Sequence, residues 1–139
     1  MIRILRIDHI VLRSARVETL VDFYCDVLGC TVERTLSPET GLTQLRAGSA
    51  LIDIVAVDSE LGRQGGAAPQ KTGNNLDHFC LHIDVIGESE LRSWLQKHGV
   101  ITSEFHTRYG GTGFGPSLYI QDPDGNTVEL RIEGTAEGV

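Results

Sequence analysis

Two stretches of this chain repeat one another, and that repetition limits the fold more than any other feature. Asp8-His9-Ile10-Val11-Leu12 is matched by Asp77-His78-Phe79-Cys80-Leu81, 69 positions later (77 minus 8). After each comes a helical pattern, with Val17, Leu20, Val21, Tyr24 and Leu28 in the first half and Leu91, Trp94, Leu95 and His98 in the second. Each helix is predicted to stop at a glycine, Gly29 or Gly99, in a left-handed cap. Strands are predicted at 31–36, 42–47 and 50–57, and again at 100–105, 117–121 and 127–132. Gly48-Ser49 and Asp122-Pro123-Asp124-Gly125-Asn126 are turn sequences joining the last two strands of each half. Each half therefore reads as strand, helix and three strands. One such unit leaves a sheet face that a second copy can cover.

This organisation predicts an α+β fold in which two βαβββ modules pair into a half-closed mixed β-barrel. The 139 residues suit a single domain. Its first module covers about 1–57 and its second about 76–134, joined by a linker at about 58–75 that is rich in Gly, Ala, Pro and Gln. No apolar run reaches the roughly 20 residues of a membrane span, and the N-terminus alternates with charge, unlike a secretory signal. The expected location is the cytoplasm, with no membrane partner. Cys25, Cys30 and Cys80 are odd in number and lack CxxC spacing, which points to free thiols. A net charge of -7 with scattered basic residues argues against nucleic acid.

Side chains alternate along strands, so His9 shares a face with Ile7 and Val11, and His78 with Cys80 and His82. The same rule groups Asp53 with Leu51 and Val55, and Glu129 with Thr127 and Arg131. Each half thus offers one histidine and one carboxylate. A lone histidine is ordinarily a core or surface residue; a repeated one opposite a repeated carboxylate suggests a nitrogen and oxygen site for zinc, nickel, cobalt, manganese or iron. His82, His98 and His106 are read as packing, helix-end and loop residues.

Three segments, DHIVL with the following FYCDVLGC, LDHFCLHI, and SLYIQDPDGNTVELR, resemble the vicinal-oxygen-chelate superfamily. That superfamily includes glyoxalase I, extradiol dioxygenases and the fosfomycin and bleomycin resistance proteins. The resemblance implies His9, His78 and Glu129 as metal ligands. Asp53 stands where glyoxalase-like members carry Glu, and it can ligate directly, bind through water or act as a base. Asp53 and Glu129 are the candidate catalytic carboxylates. Tyr119 and Ser117 resemble residues that hold substrate oxyanions, and Arg108 lies on a glycine-rich loop, 110–115, expected to be a lid.

The function so implied is a metal-dependent, glyoxalase I-like lyase or isomerase acting on a small oxygenated substrate, with room for a thiol such as glutathione. The alternatives are a fosfomycin-resistance-type epoxide-opening enzyme, an extradiol-type dioxygenase, and a metal-free drug-binding module of the bleomycin-resistance type. Family analogy adds a homodimer.

Overall fold

The structure is a computed structural model and describes residues 1–134. The chain divides into two compact units, Met1–Thr72 and Gly73–Val139.

The first unit runs β1 (His9–Ser14), α1 (Val17–Asp22), a π-helical turn (Phe23–Val27), β2 (Thr31–Thr35), β3 (Leu42–Ala47), β4 (Ala50–Ala56) and α2 (Glu60–Arg63). Its strands form one mixed sheet ordered β1-β4-β3-β2, in which only the β1/β4 pair is parallel. Apolar residues on alternate positions bury one face: Ile52 and Ile54 of β4 are 2% and 0% exposed, and α1 packs there with Leu20 fully buried. Asp53 lies between those two isoleucines and so belongs to the other face.

The second unit runs β5 (His78–Ile83), α3 (Glu88–Lys97), β6 (His106–Gly110), β7 (Gly113–Gln121) and β8 (Thr127–Ile132). Its sheet is ordered β5-β8-β7-β6 and again has one parallel pair, β5/β8. Val128, Leu130 and Ile132 are buried on one face of β8; Leu91 and Leu95, about one turn apart on α3, are buried as well. Glu129 and Arg131 take the opposite face of β8.

The helix stops follow the sequence. Gly99 has φ 72°, with Gly99 N–H bonded to the Gln96 carbonyl and Val100 N–H to that of Leu95, a Schellman end. Gly29 has φ 78°, but the preceding turn is π-helical, and Cys30 N–H reaches back to Tyr24. The Asp122 carboxylate closes the β7–β8 turn by accepting from the N–H groups of Asp124 and Asn126.

Three expectations shift. The strand expected at 100–105 is absent; Ser103 bonds Tyr119 through its backbone N–H and its hydroxyl, and no ladder continues from it. The edge strand is β6 instead, and the expected lid is a tight hairpin: Gly110 ends β6, Gly113 begins β7, and the two pair directly. The predicted linker also contains structure. Ser59 caps α2, and Arg13 donates to the carbonyls of Gly62, Gly66 and Ala67, tying this stretch to β1.

Candidate metal centre

In the first unit, parallel pairing sets Asp53 beside Val11, two residues beyond His9 on the same face. Asp8 Oδ1 lies 2.6 Å from His9 Nδ1, and this hydrogen bond raises the His9 pKa above its ordinary 6.5. Desolvation opposes that rise and the Asp53 charge adds to it. His9 Nε2 has no hydrogen-bond partner among the described residues. Asp53 is 4% exposed; its Oδ2 accepts from Gln44 Nε2 at 3.2 Å, while its Oδ1 is buried with no partner. Gln44 is itself held by Arg34, whose Nε donates to Gln44 Oε1 at 2.8 Å.

The second unit repeats the arrangement. Glu129 is paired beside Cys80, two residues beyond His78. Asp77 Oδ2 lies 2.7 Å from His78 Nδ1, and Glu129 Oε1 lies 3.2 Å from His78 Nε2. Tyr119, directly across from Glu129 on β7, sets its ring edge-on to His78 with centroids 5.2 Å apart. The Arg108 guanidinium lies 4.5 Å over the Tyr119 ring and donates to both the carbonyl and the hydroxyl of Ser117. Partial burial, with Glu129 alongside, pushes the Cys80 thiol up to about 11, so it presents a neutral thiol near pH 7.

Of the residues expected from sequence, His9 and Asp53 sit near each other in one unit, and His78, Glu129, Tyr119, Arg108 and Ser117 cluster in the other. His82, beside Arg131 in the β5/β8 ladder, pairs with Glu133 at 3.1 Å. Among the described residues no three His, Cys, Asp or Glu side chains come together as a set able to hold an ion. The donor chemistry nonetheless fits a metal. An imidazole whose Nδ1 is engaged by a carboxylate offers Nε2 as the donor atom, oriented by that partner. Both histidines have this support. It escaped the sequence reading, although Asp precedes His in both copies; Gln44 and Arg131 also escaped, carrying no signal of their own.

A family model described as the Glyoxalase/Bleomycin resistance protein/Dioxygenase superfamily matches residues 6–130. The chain is 30% identical over 133 residues to the lactoylglutathione lyase of Escherichia coli O157:H7, covering 95% of this chain and 96% of that one. It is 30% identical over 132 residues to biphenyl-2,3-diol 1,2-dioxygenase 2 of Rhodococcus globerulus, covering 90% of this chain and 61% of the dioxygenase. It thus spans about three fifths of the dioxygenase's length. Among solved structures, an integron cassette protein from the mobile metagenome of V. Cholerae superposes with a TM-score of 0.73 at 25% identity, covering 96% of this chain and 99% of the other.

Proposed function

The chain belongs to the glyoxalase, bleomycin resistance protein and dioxygenase superfamily, and from that premise we propose that it is a divalent-metal-dependent enzyme of the glyoxalase I type, a lyase or isomerase. In this reading His9, His78 and Glu129 ligate one ion, drawn from zinc, nickel, cobalt, manganese or iron, and Asp53 is a fourth ligand or a base. The observation that carries it is the doubled unit of carboxylate, imidazole and carboxylate: Asp77, His78 and Glu129 in one half, Asp8, His9 and Asp53 in the other.

When bound, the ion supplies Lewis acidity, lowering the cost of negative charge developing on adjacent substrate oxygens. The chain's own groups do the rest. Asp53 is suited to accepting a proton, because Gln44 fixes one of its oxygens and leaves Oδ1 unengaged. Arg108 and Tyr119 give the second sheet a fixed cation and a hydroxyl beside Glu129 for orienting substrate oxygens. A thiol co-substrate such as glutathione agrees with the lyase relative.

An extradiol-type dioxygenase is the second reading, favoured by the match to the Rhodococcus enzyme. One set of measurements separates the two. Elemental analysis of purified protein is followed by thermal shift with each candidate ion, and then by assays of lactoylglutathione formation and of catechol ring cleavage. Near-stoichiometric metal with lyase turnover supports the proposal. Iron with ring cleavage moves the assignment to the dioxygenase, and no metal with any ion overturns both in favour of a binding module.

A further inference from the structure

Arg131 is 5% exposed, yet it makes no ion pair among the described residues. Its Nη1 donates to the Gly113 carbonyl at 2.6 Å, and its Nε is buried with no partner. A guanidinium taken out of water without a carboxylate is costly, and it is ordinarily compensated by an anion.

Its bed explains how it fits. Gly110, Gly113 and Gly115 fall at alternate or paired positions of the β6–β7 hairpin, so side chains there would project onto one sheet face. A Cβ added at Gly115 would stand 2.6 Å from Arg131 Nη2 and 2.8 Å from its Nε, and one at Gly110 would stand 3.1 Å from Nη1. The glycines leave the space that the flat guanidinium fills. Ser117 lies directly across from Arg131, and that same serine receives Arg108. The Arg131 backbone is thus paired with the serine that receives Arg108, and its guanidinium lies by Gly115, the residue across from Arg108, one step along the strands from the pairing of Tyr119 with Glu129.

We propose that Arg131, with Arg108 beside it, is the binding site for an anionic two-oxygen group of the substrate, a carboxylate or a phosphonate or phosphate. Neither the Nε nor the Nη2 of Arg131 makes a hydrogen bond within the described residues; because Nε is buried, the side chain lifts from its glycine bed on binding, so that this edge takes two such oxygens side by side. The proposal rests on this face of the second sheet being where substrate binds, but not on the identity of the metal. It makes the substrate an oxygenated acid whose charged end lies on Arg131 and whose reacting end lies toward His78 and Glu129.

The test uses the full chain, 15N-labelled and treated with EDTA, and follows the arginine Nε–Hε resonances at constant ionic strength. Sodium acetate, methylphosphonate and the uncharged acetamide are titrated in turn, and Arg131→Lys and Arg108→Lys identify the signals. A saturable shift of the Arg131 signal with acetate or methylphosphonate, and none with acetamide, supports the site; whichever anion binds tighter assigns the group. A shift that is absent, or linear and shared with Arg3 and Arg6, overturns it. Should Arg131→Lys not fold, Gly115→Ala serves instead, because its Cβ displaces the guanidinium; half-saturation at least about tenfold higher is expected, and an unchanged midpoint overturns the proposal. Zinc binding measured separately on the same preparation distinguishes failure of the metal reading from failure of this one.

Discussion

Asp77 and His78 are adjacent in sequence, and the carboxylate of the first turns back to hold the ring of the second, Oδ2 to Nδ1 at 2.7 Å. The Asp77 side chain is 94% exposed and Asp8, its counterpart, 85%, so neither contributes to a core. Asp77→Asn and Asp8→Asn are therefore expected to leave the melting temperature of metal-free protein nearly unchanged while weakening metal binding about 10- to 100-fold each. Competition with a chromophoric chelator measures this. Wild-type affinity in both variants would remove these carboxylates from the metal reading.

His78→Ala and Glu129→Gln are expected to abolish metal retention through dialysis. His82→Ala, which removes a ring paired with the half-exposed Glu133, is expected to retain it. Elemental analysis of the three variants decides, and metal retained in all three would sink the ligand assignment.

The Cys30 thiol is 7% exposed, and burial first, with Cys25 nearby, pushes its pKa up to about 11 from the ordinary 9.0. The unfolded chain ionises this group at lower pH than the folded one. Its stabilising effect is therefore complete below about pH 9 and is lost as pH rises from there through about 11. Chemical denaturation of wild type and Cys30→Ala across pH 8 to 11 is expected to show a steeper loss in the wild type. Parallel curves would refute the assignment.

Arg13 ties the stretch after β4 through the carbonyls of Gly62, Gly66 and Ala67. Replacing it with alanine removes all three bonds while leaving β1 paired to β4. Limited proteolysis at low protease concentration should then cut near residues 62–67 several-fold faster than in the wild type, reporting a local opening. Equal rates would mean that other contacts hold the segment.

Periodicity and the repeat carried most of the fold. The two βαβββ orders, the glycine stops and both β-hairpin turns follow from residues whose local preferences agree with their surroundings. The failures lie where backbone pairing outweighs composition. Val100 to Phe105 looks like a strand, with Val100 and Ile101 at its start, yet Arg92 of α3 binds Thr102 and Ser103 from the side and the ladder forms at β6 instead. Tyr109-Gly110-Gly111-Thr112-Gly113 looks like a loop, yet Tyr109 and Phe114 pair across the hairpin with rings 5.0 Å apart. The placing of a histidine strand beside a carboxylate strand in each half was legible because it repeats. Arg131 was not, since a buried guanidinium cannot be told from a solvated one without its neighbours.

The two ladders keep one register, and this makes each half a numbered template for the other. Val11 opposite Asp53 corresponds to Cys80 opposite Glu129, and Gln44 across from Asp53 corresponds to Tyr119 across from Glu129. A protein engineer can therefore transplant chemistry between halves by position alone. Asp53→Glu copies the carboxylate of the second half into the first, and Gln44→Tyr brings its aromatic neighbour, each meeting cross-strand partners already known from the other copy. Duplication has left the molecule with its own substitution manual, in which one half records side chains that the backbone of the other can carry.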